Sequence, residues 1–179
     1  MRLLVWNKGI EMILTVCLSP CIDVNIEVDS LSVGKNNTII SKTIFFTGKA
    51  INVAIGVARL NSAVFATGFM YEGNGSQFEH ELHKEGVPYK FVWSEGRVRE
   101  NYKFIDHRSM LTEVNDISPA VSEQKQAELL DMIKNLSAKC EAVVISGSLA
   151  KGMTPDYYGK ILESVPDGIL KIVDTEGDR

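Results

Sequence analysis

"TGKAINVAIGVARL", Thr47 to Leu60, sets a glycine, a lysine and an asparagine at the head of an otherwise apolar stretch. Ile51, Val53, Ala54, Ile55, Val57 and Ala58 leave few polar positions at helical spacing, so the stretch predicts a buried helix with a polar mouth at one end. A helix N-terminus carries unpaired N–H groups and about half a positive charge, and a glycine before it lets a ligand come close to the backbone. Gly48 holds that place, and Lys49 and Asn52, three apart, share one side of the first turn. The mouth is therefore a candidate anion or sugar site. The alternative is that Lys49 snorkels to solvent and Asn52 satisfies a backbone group; spacing alone leaves both open.

The segments around this helix alternate between strand and helix patterns. "MILTVCL" (Met12 to Leu18), the run from Ala63 to Phe69, "AVVIS" (Ala142 to Ser146) and "ILKIVD" (Ile169 to Asp174) read as strands. Between them, Ser76 to Gly86 opens on Ser-x-x-Glu and closes on glycine, Ser122 to Ala138 sets Leu129, Ile133 and Leu136 on one stripe, and Thr154-Pro155 opens a further helix. In that last helix the pattern predicts Tyr157 and Tyr158 as packing residues with one ring exposed. Such alternation predicts an α/β fold with a mostly parallel sheet flanked by helices. A second group, "CIDVNIEV" (Cys21 to Val28), "NTIISKTIFF" (Asn37 to Phe46), "RENYKFID" (Arg99 to Asp106) and "MLTEV" (Met110 to Val114), alternates with period two and predicts a small antiparallel sheet with one wet face.

Composition narrows the chemistry. The chain has 179 residues, 45% hydrophobic and 23% charged, enough for one globular core. A net charge of -4 gives no basic footprint for nucleic acid or anionic lipid, so any cationic site must be small. Cys17, Cys21 and Cys140 form no paired C-x-x-C spacing, which points away from a zinc site or a disulfide framework and toward a reducing, cytoplasmic setting. No stretch approaches the ~20 apolar residues of a membrane span. His80, His83 and His107 lack a convergent third ligand in the sequence, and "GNGS" (Gly73 to Ser76) lacks the third glycine of a dinucleotide fingerprint, so these read as structural.

In open α/β sheets ligands sit beyond the carboxyl ends of the strands. "LSPCID" (Leu18 to Asp23), "SGSLAKG" (Ser146 to Gly152) and "DTEGD" (Asp174 to Asp178) fall there, and each taken alone also reads as a simple turn. Arg97, Arg99 and Asn101 alternate along one strand and so share a face, either a phosphate clamp or a solvated sheet surface.

Taken in order, "ILTVCLSPCID", "TGKAINVA", "GRVREN", "SGSLAKG" and "DTEGD" resemble the ribokinase-like (pfkB-type) carbohydrate kinases, in particular the branch that contains 1-phosphofructokinase and tagatose-6-phosphate kinase. The resemblance runs from Met12 to Arg179 and leaves residues 1–11 outside as an extension, so that Met12 reads as a natural start. It implies transfer of the ATP γ-phosphate, with Mg2+, to a hydroxyl of a ketohexose phosphate of the fructose 1-phosphate or tagatose 6-phosphate type. It further implies that Asp23 grips sugar hydroxyls, that Gly48, Lys49 and Asn52 form the sugar-binding turn and helix, that Arg99 lies near the substrate phosphate with Asn101 beside it, and that Ser146, Gly147 and Ser148 line the sugar site. The period-two strands, at about 21–46 and 89–114, become a β-lid that covers the sugar and keeps water out.

The sequence also departs from the resembling family. Thr47 and Ala50 stand where glycines are usual, Ser19 where asparagine is, and Ala150 where proline is. The family's catalytic Gly-x-Gly-Asp segment and nucleotide loops are expected beyond Arg179, so no catalytic base is assigned and neither ATP nor Mg2+ is expected to bind this chain well. Two readings follow: the sugar-binding half of a sugar-phosphate kinase, inactive alone, or a non-catalytic fragment that binds sugar phosphates or associates with other subunits. Lid strands commonly pair between subunits in the resembling family, which implies a homodimer through the lid. The sheet edge at Ile169 to Asp174 is expected to promote further self-association.

Overall fold

The structure, a computed structural model, describes residues 12–175. The extension at 1–11 and the end of the "DTEGD" stretch lie outside the described residues. In chain order the elements are β1 (Met12–Cys17), β2 (Cys21–Val28), β3 (Ile39–Thr47), α1 (Lys49–Arg59), β4 (Ala63–Tyr71), α2 (Ser76–Lys84), β5 (Tyr89–Ser94), β6 (Arg99–Ile105), β7 (Leu111–Asn115), α3 (Glu123–Ser137), β8 (Ala142–Ser146), α4 (Asp156–Ser164) and β9 (Leu170–Asp174).

Five strands form the core sheet in the order β5-β4-β1-β8-β9, every pair parallel. Leu14 and Val16 of β1 and Val143 and Ile145 of β8 are buried, as strands covered on both faces require. The chain builds leftward from β1 to β4 and β5, then returns to lay β8 and β9 on the other side. Because parallel crossovers are right-handed, this reversal puts α1 and α2 on one face and α3 and α4 on the other. The switch point lies between β1 and β8, where a crevice opens at the strand ends. α1 packs Ala50, Ile51 and Ala54 against β1 and β4, and α3 buries Leu129 and Ile133. Ser122 caps α3 by accepting a hydrogen bond from the Lys125 N–H.

The remaining four strands form a second sheet in the order β3-β2-β6-β7. It consists of two antiparallel pairs, β2–β3 and β6–β7, joined by a parallel seam between β2 and β6. The seam follows from connectivity: β2 continues from β1 and β6 follows β5, two core strands that run the same way. One face of this lid carries Ile22, Val24, Ile26 and Val28, all buried; the other carries Asp23 and its neighbours toward the crevice.

Several expectations are corrected. The second lid segment, expected at about 89–114, starts later: Tyr89–Ser94 is β5, the edge of the core sheet, and the lid resumes only at Arg99. Its place in the core sheet follows from its parallel pairing with β4, a long-range partner that the stretch itself does not announce. Gly75, not Ser76, occupies the cap of α2, with no side-chain cap bond. The α4 tyrosines are both buried, with no exposed ring. Tyr157 donates to the Gln126 carbonyl at 2.8 Å and Tyr158 to the Gly147 carbonyl at 2.8 Å, so each hydroxyl has a partner that permits burial.

Candidate active site

A cavity of about 550 Å³ lies between the lid and the carboxyl ends of the core strands. Every residue proposed from sequence for the sugar site lines it except Ser146. From the core come Gly48, Lys49 and Asn52 at the head of α1, and Gly147 and Ser148 in the turn after β8. The lid contributes Asp23 from β2 and Arg99 and Asn101 from β6.

The local geometry has identifiable causes. Gly48 is the N-cap of α1 at φ +145°, and a Cβ there would come within 2.9 Å of the Cys17 sulfur. Glycine is thus required both for the backbone angle and for packing on β1. Gly147, at φ +107°, brings the turn after β8 beside Lys49: a Cβ at 147 would sit 3.6 Å from the Lys49 Cβ. Tyr158 holds this turn from below through the Gly147 carbonyl. Arg99 is placed by a clamp at the entry to β6, where the Asn74 side chain accepts from the Val98 N–H at 2.6 Å and donates to the Val98 carbonyl at 3.1 Å.

The lid groups are wired together across the β2–β6 seam, where Asp23 stands opposite Asn101. Arg99 donates to the Asn101 side-chain oxygen at 3.2 Å, and Asn101 donates to Asp23 Oδ1 at 3.1 Å. Lys103 donates to Asp23 Oδ2 at 2.8 Å. The Asp23 carboxylate raises the Lys103 pKa above its ordinary value and holds the ammonium charged. Arg99 Nε is buried without a hydrogen-bond partner. On the core side Lys49 lies 3.9 Å from Asp174.

Two sequence assignments are revised. Ser146 stands behind the cavity rather than on its wall; it ends β8 opposite Asp174, and its hydroxyl donates to that carboxylate at 2.8 Å. Arg97 precedes β6 and donates to the Gly73 carbonyl at 3.2 Å, so it does not share the cavity with Arg99. The residues that depart from the family pattern are accommodated. Ser19 and Thr47 line the cavity, Ser19 bonds to Ser118 at 2.5 Å, and Ala50 and Ala150 are buried.

Sequence reasoning missed Cys21, Lys103, Glu113 and Asn115, which also line the cavity. Lys103 had a signal, since it continues the alternation Arg99, Asn101 by one more step. Glu113 and Asn115 enter through the β6–β7 register, which pairs them with Lys103 and Asn101. Among the described residues no three His, Cys, Asp or Glu side chains gather to hold a metal ion.

A parallel α/β core, with a four-stranded lid over its switch-point crevice, is the ribokinase-like architecture. The chain belongs to the pfkB family of carbohydrate kinases, whose profile matches residues 12–168. It is similar to a solved Thermotoga maritima protein described as a possible 1-phosphofructokinase, with a TM-score of 0.83 and 29% identity over 92% of this chain and 54% of that one. It also shares its fold with Escherichia coli phosphofructokinase-2. The tetrameric inhibited form superposes with a TM-score of 0.82 at 23% identity, covering 94% of this chain and 56% of that one. The complex with fructose-6-phosphate gives 0.80 at 23%, with the same coverage. The chain therefore spans about half the length of these solved structures.

Proposed function

We propose that this chain forms the sugar-phosphate-binding half of an ATP-dependent kinase that acts on a ketohexose phosphate of the fructose or tagatose series. The observation that carries the reading is the meeting, in one cavity, of a helix N-terminus with Lys49 and Asn52 and a lid face with Asp23, Arg99 and Asn101. A carboxylate and two amides suit hydroxyl groups, while a guanidinium, an ammonium and a helix terminus suit an existing phosphate. Family membership supports sugar-kinase chemistry. The similarity to a possible 1-phosphofructokinase and the fold shared with an enzyme solved with fructose-6-phosphate favour fructose phosphates over other sugars.

ATP and Mg2+ are the family's phosphoryl donor and metal, and the described residues do not fit the metal. The cavity's two carboxylates are Asp23 and Glu113, and Asp23 is already held by Lys103 and Asn101. What this chain does is bind the acceptor, orient its hydroxyls against Asp23 and Asn52, and shield them beneath the lid. No acceptor-activating base is assigned here, so the isolated chain should bind without turning over.

Thermal unfolding tests the reading. Fructose 1-phosphate or fructose 6-phosphate at millimolar concentration should raise the melting temperature, as binding to the native state alone requires, with no ADP released when Mg-ATP is added. Absence of any shift with either ester, or steady ADP release, would contradict it.

A further inference from the structure

We infer that Lys103 is a second cationic arm of this site and that its ion pair with Asp23 is a latch opened by the substrate's phosphate group. The inference rests on the sugar-phosphate reading above and adds to it a means of rejecting unphosphorylated sugars.

Lys103, Asn101 and Arg99 occupy alternate positions of β6 and so face the cavity together. Their polar heads converge over Asp23: Arg99 on Asn101 at 3.2 Å, Asn101 on Asp23 at 3.1 Å, Lys103 on Asp23 at 2.8 Å. The Lys103 side chain keeps 30% of its surface exposed where it lines the cavity. One observation marks this cluster as lacking an acceptor, and a second shows that a ligand must displace a protein donor. Arg99 Nε is buried with no acceptor. Both oxygens of Asp23, the carboxylate proposed to grip sugar hydroxyls, are already engaged by protein donors. The cavity lining brings Lys49, Arg99 and Lys103 to one space, with Asp23 and Glu113 in the lining and Asp174 3.9 Å from Lys49, so three cationic groups are within one cavity that a phosphate could share.

An unphosphorylated ketose must take Asp23 from Lys103 and leave the ammonium with only its cross-strand neighbour Glu113 for counter-charge, without the 2.8 Å bond it had, which is costly in a half-buried site. A phosphorylated ketose brings a counter-charge of its own. Its phosphate accepts from Lys103 and Arg99, and Asp23 turns to the hydroxyls. The exchange replaces one charge-assisted contact with others and leaves neither Asp23 nor Lys103 stranded. If Lys103 served only to orient Asp23, phosphorylated and unphosphorylated sugars would depend on it equally.

Calorimetric titration of the 179-residue chain with fructose 6-phosphate, fructose 1-phosphate and fructose separates these cases. In Lys103→Met the affinity for the preferred phosphate ester should fall by about 10- to 100-fold, the range of a charge-assisted contact, while fructose binds as well as or better than before. An equal fall for ester and free sugar, or no fall for the ester, overturns the latch. Asp23→Asn gives a second test, independent of whether the methionine variant folds. Freeing Lys103 should strengthen binding of inorganic phosphate several-fold, and unchanged or weaker phosphate binding overturns the inference. Failure of the underlying reading looks different, because the unsubstituted chain would then show no preference for the esters over fructose.

Discussion

At the residue scale the site depends on one packing contact behind its polar wall: Gly48 against Cys17. The missing side chain at 48 lets α1 start within van der Waals reach of the Cys17 sulfur, and that proximity sets Lys49 and Asn52 on the cavity wall. Burial pushes the Cys17 thiol up to about 12 from an ordinary value of 9.0, with the nearby Cys21 adding to the shift. Burial likewise pushes Cys140 up to about 11. An unfolded thiol ionises near 9 whereas the buried one stays protonated, so the unfolded state binds fewer protons between the two values and stability falls as pH rises. The melting temperature should therefore decline from pH 9 to pH 11, and Cys17→Ala should give a shallower decline whatever its effect at neutral pH. Equal slopes in the two proteins would show that Cys17 does not ionise differently on folding.

At the element scale β4 carries the tightest packing constraint. Gly68 pairs in register with Cys17, and a Cβ at 68 would lie 1.8 Å from the Cys17 carbonyl oxygen at a backbone φ of +139°. Gly68→Ala must displace β1 from β4, so we expect a loss of about 3 kcal/mol in denaturant unfolding, at the upper end for overpacking; a loss under ~1 kcal/mol would mean that the two strands are free to separate. The sheet order of such elements was only partly legible in the sequence. β1, β4, β8 and the helices were readable because apolar runs and 3.6-residue stripes report burial directly, as with Leu129 and Ile133 of α3. The bounds 89–114 merge β5 with the lid, because which sheet a strand joins is decided by its partner, here β4, and not by its own residues. Gly48, Lys49 and Asn52 were legible because they are local to one helix end. Lys103, Glu113 and Asn115 depend on strand register, and Ser146 on which way the last pleat of β8 points; neither is encoded in a single stretch.

At the scale of the whole molecule, exposed apolar side chains of the described residues gather on the lid, with Ile44, Phe45, Leu111 and Val114, and along the edge strand β9, with Leu170, Ile172 and Val173. Unpaired apolar edges recruit other chains. Light scattering at micromolar concentration should find a dimer that Ile44→Lys dissociates and larger species that Ile172→Lys suppresses; a monodisperse monomer would contradict both surfaces. The larger claim is that lid and core close on one phosphorylated sugar, with Arg99 supplying a guanidinium to the phosphate from a strand whose entry Asn74 fixes. The most direct test is calorimetric titration, at fixed ionic strength, of the chain and of Arg99→Ala with fructose phosphates and with fructose. The account predicts that the esters bind more tightly than fructose and that Arg99→Ala weakens the esters alone by about 1.5–3 kcal/mol. Equal affinity for phosphorylated and unphosphorylated sugar, or ester binding untouched by Arg99→Ala, would contradict it.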